Sequence, residues 1–227
     1  MKNFISYDLN FKNLFYVLRN VMKNIKVHWE SIYKLKDFKK VSWYQEHPTR
    51  SKSFIQKLNL DKSSPIIDIG GGASYLANSL INTGYRDVTV NDISSNAINI
   101  SKGHNIQNIK TIKWITGNIN NVKLPKKTYK VWHDRAVFHF LTSKDERKKY
   151  KEQILKSVSH NGYVIISTFS LEGPKKCSGL PIKQYSKKSL LSELGNNFRL
   201  IDYQYNNHST PSGNNQNFLY CCFQIKE

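Results

Sequence analysis

Beyond Pro48 the chain is written in short apolar runs that alternate with stretches carrying apolar residues at every third or fourth position. The runs Ile66 to Ile69, Val88 to Asn91, Ile112 to Ile115, Tyr129 to Trp132, Tyr163 to Thr168, Leu200 to Tyr205 and Phe218 to Ile225 predict buried strands. Helical spacing fits between the earlier ones, over Tyr75 to Asn82, Asn96 to Lys102 and Asp145 to Val158. Strands separated by helices imply parallel crossovers with helices on both faces. The alternation then stops, because His208 to Gln216 is rich in Ser, Thr, Pro, Gly and Asn and predicts a loop joining two strands directly. The expected fold class is α/β, a doubly wound and mostly parallel seven-stranded sheet with an antiparallel edge hairpin.

The first 26 residues differ. Phe11, Leu14, Phe15, Leu18, Met22 and Ile25 recur at three and four, the spacing of one helix face, in a segment with a single acid, Asp8. This predicts an N-terminal amphipathic helix that packs on the domain or covers it as a lid. One arginine and little serine in the segment argue against a transit peptide. Residues 1–42 are therefore read as a basic helical extension and residues 43–227 as the sheet domain.

Composition narrows the partners. With 39% apolar and 12% aromatic residues the chain can bury a core, and no apolar run approaches the ~20 residues of a membrane helix. Cys177, Cys221 and Cys222 form neither a disulfide framework nor a metal-ligand spacing, so no metal is expected and a reducing, cytoplasmic location is. The net charge of +19 admits nucleic acid as a partner. It arises from 29 lysines and only 6 arginines, whereas phosphate and base recognition favours the forked guanidinium. A generally lysine-coated surface is favoured over a nucleic-acid footprint.

The segment Pro65-Ile-Ile-Asp-Ile-Gly-Gly-Gly-Ala-Ser74 is a buried strand that ends in three glycines and enters a helix. Glycines there let the backbone approach a ligand closely, and the helix start offers free N–H groups. Asp92 ends the next strand, 24 residues after Asp68, where a carboxylate can accept both hydroxyls of a ribose. The segment lacks the Gly-Lys-Ser/Thr ending of a phosphate-binding loop and the Gly-x-Gly-x-x-Gly spacing of dinucleotide enzymes.

These residues resemble the class I S-adenosylmethionine-dependent methyltransferases, which have a Rossmann-like fold. Asp68-Ile-Gly70-Gly71-Gly72 is similar to their first motif, Val88-Thr-Val-Asn-Asp92-Ile93 to the second, and Gly117-Asn118-Ile119 to the third, where Asn118 replaces the commoner Asp and keeps an acceptor oxygen. Trp132 to Leu141, Gly173 to Pro181 and His208 to Gly213 resemble a small single-domain subfamily of these enzymes, as does Trp43-Tyr44-Gln45 before the sheet. The resemblance implies S-adenosyl-L-methionine as cofactor, held by Trp43, Tyr44, Asp68, Gly70, Gly71, Gly72, Asp92, Ile93, Asn118 and Ile119. It leaves the acceptor unnamed.

Methyl transfer is an in-line displacement that requires positioning and exclusion of water. An acceptor amine or thiol must also lose a proton. His133, Asp134 and His139 follow the fourth strand at the carboxyl end of the sheet, and His133 and Asp134 are the expected catalytic pair, although strand alternation lets only one face the acceptor. Arg135 is expected to pair with Asp134 or a neighbouring carboxylate. A small-molecule acceptor is favoured. A protein lysine would need an acidic groove, and only Glu172 lies near the 173–186 loop; a nucleic-acid amine would call for an Asn/Asp-Pro-Pro-aromatic motif that His133-Asp-Arg-Ala136 replaces. A silent cofactor-binding regulator is the non-enzymatic alternative.

Overall fold

The computed structural model describes residues 25–104 and 106–226. The apolar stripe from Phe11 to Met22 lies outside the described residues, and only its last member, Ile25, falls within them.

The described chain opens with a helix over residues 25–35, α1. The elements that follow are α2 (Thr49–Lys57), β1 (Ile66–Ile69), α3 (Leu76–Ile81), β2 (Val88–Asp92), α4 (Ser95–His104), β3 (Ile112–Thr116), β4 (Tyr129–Arg135) and α5 (Lys144–Ser157). Then come β5 (Val158–Phe169), a two-stranded ribbon of β6 (Lys176–Cys177) and β7 (Leu180–Pro181), α6 (Lys187–Leu194), β8 (Phe198–Ser209) and β9 (Asn215–Ile225). Seven strands form one sheet in the order β3-β2-β1-β4-β5-β9-β8. The first five are parallel, and β9 runs antiparallel to both β5 and β8.

Side-chain alternation divides the core into two halves. Ile67, Trp132, Ile166 and Cys221 pack with Tyr150 and Ile154 of α5 and Leu190 of α6. Ile66, Val131, Ile165 and Cys222 pack on the other face with Ile55 of α2, Leu80 of α3 and Ile98 of α4. Adjacent residues such as Cys221 and Cys222 thus serve opposite layers, as a period of two requires.

Local signals explain the helix ends. Ser143 and Glu146 form a reciprocal capping box at the start of α5, and Ser186 caps α6, which stops at Gly195 with φ of 86°. The seven strands arise where the apolar runs lie, but the terminal hairpin is longer than predicted. The segment read as a loop from His208 to Gln216 keeps its loop over residues 210–214, while its ends join the strands, with His208 opposite Gln216 and Ser209 opposite Asn215. Pairing with a central neighbour overrides the polar composition there. Helices α2 and α6 and the β6–β7 ribbon were not predicted, whereas α1 lies within residues 1–42, the segment read as a helical extension.

Candidate active site

The strand order reverses between β1 and β4, and the carboxyl ends of these strands open a crevice where sheets of this kind bind ligands. Two adjoining cavities occupy it. One is walled by Asp68, Gly70, Gly71, Tyr44, His133 and Ser74, and the other by Asp92, Ile93, Asn118, Ile119, Phe140 and Cys177. Tyr33, Trp43, Gly70 and Arg135 belong to both walls, so the cavities meet at the first glycine of the turn.

The glycine turn is built for close approach. Gly70 and Gly72 have φ of +63° and +46°, in the region that disfavours a side chain. A Cβ on Gly70 would stand 2.1 Å from Val137 Cγ2, and one on Gly72 would stand 2.8 Å from the Tyr33 hydroxyl and 3.1 Å from Asp92 Oδ2. Gly72 contributes its N–H to the Asp92 carboxylate.

Asp92 is buried at the end of β2, and its Oδ1 accepts from the Ser94 amide at 2.8 Å. Burial pushes its carboxyl up to about 7, against the pull of the Ser94 and Gly72 amides, and the carboxylates of Asp68 and Glu30 add to the rise. Asn118 turns its Oδ1 to the Asn120 amide at 3.0 Å, bracing the loop after β3 while the residue walls the cavity.

His133 and Asp68 lie in register on neighbouring parallel strands, and His133 Nδ1 donates to Asp68 Oδ1 at 2.7 Å. The carboxylate fixes the imidazole with its proton on Nδ1, which leaves Nε2 as an acceptor. That Nε2 is buried and has no partner within the protein.

Asp134 points the other way. It is fully buried and accepts from the Val137 amide at 2.8 Å, the Phe138 amide at 3.0 Å and the Tyr150 hydroxyl. Burial raises its carboxyl to about 6 despite these donors. It belongs to neither cavity wall, because the alternation that brings His133 to the crevice turns Asp134 to α5. The expected Asp134–Arg135 ion pair is also absent among the described residues: Arg135 Nη1 donates instead to the Trp43 carbonyl at 3.0 Å and Nε to the Tyr220 hydroxyl at 3.2 Å. Consecutive strand residues face opposite layers, and the two charges cannot meet. His139 is no base either, since burial, with the Arg135 charge, pushes it down to about 3. Its Nδ1 accepts from the Phe169 amide.

The crevice is roofed by α1 together with Trp43; Trp43 was an expected cofactor residue, whereas Trp29 and Tyr33 of α1 were not among the expected site residues. Trp29 and Tyr33 stand one turn apart on α1, and Trp43 Nε1 donates to the Tyr33 hydroxyl at 3.2 Å. Trp29 packs edge-on against both Trp43 and Phe140. Glu30 ties α1 to the start of α4, accepting from Ser94, Ser95 and Asn96. The aromatic pair at helical spacing was the available signal, but its partners lie far along the chain. Among the described residues no group of His, Cys, Asp and Glu is placed to hold a metal ion, and no helix is long and apolar enough to cross a membrane.

The profile of a family described as "Methyltransferase domain" matches residues 60–216. No match was found among curated proteins. Solved structures with the same fold include a protein from work on conversion of a disulfide bond into a thioacetal group during echinomycin biosynthesis, 14% identical over 89% of this chain and 93% of that one, with a TM-score of 0.73. A SAM-dependent methyltransferase from Methanosarcina mazei is 16% identical over 81% of this chain and 99% of its own, with a TM-score of 0.64. The 1,6-didemethyltoxoflavin-N1-methyltransferase of Burkholderia thailandensis, solved with 1,6-didemethyltoxoflavin and S-adenosylhomocysteine, is 11% identical over 100% of this chain and 94% of its own, with a TM-score of 0.65.

Proposed function

The chain belongs to the methyltransferase domain family, and from that premise we propose that it transfers a methyl group from S-adenosyl-L-methionine to a small molecule bound in the crevice under α1. The cofactor supplies an electrophilic methyl on a sulfonium. Residues that fit it are at hand: a glycine turn with no room for a Cβ at Gly70, a buried acceptor at Asp92 and two joined cavities. Asp92 is suited to accept from the ribose hydroxyls, with Ile93, Asn118 and Ile119 about the base and Asp68, Gly70 and Gly71 beside the amino-acid arm. Gly72 acts by shaping the turn and donating to Asp92.

The rings of Tyr33, Tyr44 and Trp43 give a positively charged ligand electron-rich walls. His133 is the group able to accept a proton, at Nε2, with Asp68 holding the ring. Asp134 is assigned to bracing the turn after β4 rather than to the reaction.

The observation that carries the small-molecule reading is the roof. Trp29, Tyr33 and Trp43 close over the crevice, which suits an acceptor that is enclosed and screened from water. The similar B. thailandensis enzyme was solved with a small molecule, 1,6-didemethyltoxoflavin, bound. Incubation with methyl-labelled cofactor and separate metabolite, protein and RNA fractions tests the reading. Label in the metabolite fraction is expected, and label confined to protein or RNA would overturn the substrate class.

A further inference from the structure

Arg135 is a cation with no anion beside it. It ends β4 on the same face as Val131 and His133, its guanidinium carbon lies 4.9 Å from the centre of the Phe218 ring, and its two hydrogen-bonded nitrogens reach neutral acceptors, the Tyr220 hydroxyl and the Trp43 carbonyl. The third nitrogen, Nη2, is buried and has no partner. No ion pair among the described residues includes Arg135.

The titratable neighbours do not compensate the charge. Burial, and after it Arg135 itself, pushes His139 down to about 3, so that ring is neutral at physiological pH, and the same two causes push His208 down. The Cys177 thiol is pushed up to about 11 by burial, against the pull of Arg135, and is neutral as well. Of the nearby acids, Asp68 is engaged with His133 and Asp134 faces the opposite layer. A guanidinium stays ionised at every accessible pH, and burying one with N–H groups unmet is unfavourable unless a ligand completes the site.

The position indicates which ligand. Arg135 walls both cavities, but its contacts run to Phe218 and Tyr220 of β9, over the β4-β5-β9 part of the sheet. Asp92 and Asn118, by contrast, stand at the ends of β2 and β3. Resting on the methyl-transfer reading, we infer that Arg135 is the docking point for a carboxylate on the acceptor, so that the substrates are small carboxylic acids bound as anions. The free Nη2 carries two unmet N–H groups, and charge-assisted hydrogen bonds from a guanidinium to a carboxylate are among the strongest that proteins make. A second cationic ligand in the chamber would strengthen the preference for an anion, because opposite charges attract strongly where water is excluded.

The test uses the full chain saturated with S-adenosylhomocysteine and titrated with matched pairs of probes, benzoate against benzamide and butyrate against butyramide. At least one acid is expected to bind tenfold or more tightly than its amide. Arg135→Met should abolish that preference, read as the ratio of acid to amide affinity at saturating S-adenosylhomocysteine. Arg135→Lys, which keeps the charge without the fork, should retain part of the preference and serves as the readout if Arg135→Met does not fold. Equal binding of acids and amides, or a preference that survives in both variants, would overturn the inference alone. A tenfold loss of S-adenosylhomocysteine affinity in Arg135→Lys, with any acid preference unchanged, would assign the guanidinium to the cofactor's own carboxylate and also overturn it. Failure of the wild type to bind S-adenosylhomocysteine at all would overturn the methyltransferase reading on which the inference rests.

Discussion

Glu30 Oε1 accepts hydrogen bonds from both the amide and the hydroxyl of Ser95, each at 2.8 Å, while Oε2 accepts from the Ser94 hydroxyl at 2.8 Å and the Asn96 amide at 3.1 Å. One carboxylate on α1 thus caps the first turn of α4, where free N–H groups and the helix dipole favour a negative charge. Ser94 also donates its amide to Asp92, so the latch of the roof and the acid at the end of β2 share a residue.

The latch has a pH signature. Burial pushes the Glu30 carboxyl up, but the Asn96 and Ser95 amides and the Ser94 and Ser95 hydroxyls outweigh it and hold it at about 2, against an ordinary value of 4.5. A depressed carboxyl stabilises the fold above its unfolded value and loses that contribution as pH falls from about 4.5 towards 2. Glu30→Gln should cost on the order of 0.5 to 1 kcal/mol at neutral pH, since the pair is partly solvent-screened. Melting curves for both proteins should differ by a constant amount at pH 6 to 8 and draw together as pH falls from about 4.5 towards 2. A difference that stays constant from pH 8 down to about 2 would mean that Glu30 acts through packing rather than charge.

Gly70→Ala places a methyl group 2.1 Å from Val137 Cγ2 at a φ of +63°. The expected cost is about 1 to 3 kcal/mol for overpacking and about 1 kcal/mol more for the left-handed backbone. Cofactor affinity should fall with it, because Gly70 joins the two cavities. Adding Val137→Ala should recover part of the lost melting temperature, as it removes the clash but not the backbone strain. No recovery would show that conformation alone requires glycine.

The strands and the glycine turn were legible because a period of two and a strand-to-helix glycine run are local properties. So was the opposed orientation of His133 and Asp134, which follows from alternation. The partners of these residues were not legible. Asp134 reads as a second proton acceptor beside His133 until α5 brings Tyr150 against it, and Arg135 reads as one half of an ion pair until β9 supplies Tyr220 instead. Glu30 is a lone acid on a basic helix in sequence, and its role depends on contacts 64 to 66 residues away. The polar strand from His208 to Ser209 fails for a related reason, since its pairing is set by β9 rather than by composition.

Ligand binding should be pH-dependent through Asp92. Burial pushes its carboxyl up to about 7 in the free protein, with Asp68 and Glu30 adding to the rise, so the group is protonated below that pH. Ribose hydroxyls donate best to the ionised form. S-adenosylhomocysteine affinity should therefore reach a plateau above about pH 7 and weaken by up to tenfold per unit below it. In the free protein the sign is reversed, because a raised carboxyl favours the fold when protonated and reduces its stability as pH rises from about 4 to 7. Asp92→Asn should flatten both profiles and cost about 1.5 to 3 kcal/mol in binding. Calorimetry from pH 5.5 to 8.5 reads the binding effect, and an unchanged slope in Asp92→Asn would remove Asp92 from the ribose site.

His133 and Asp134 are neighbours with opposite duties, and substitution separates them. Asp134→Asn puts an amide N–H where the Val137 and Phe138 amides and the Tyr150 hydroxyl all donate, so at least one buried donor loses its acceptor. The expected cost is about 1 to 3 kcal/mol of stability, seen as a lower melting temperature. Turnover at a temperature where the variant is folded should change little. His133→Ala removes the free Nε2 and leaves Asp68 without its partner. For an acceptor that must lose a proton, turnover should fall about a hundredfold, equivalent to about 2.7 kcal/mol of barrier. Rates for both variants, measured with the acceptor that takes up label, decide the assignment. A large rate loss in folded Asp134→Asn, with His133→Ala unaffected, would exchange the two roles.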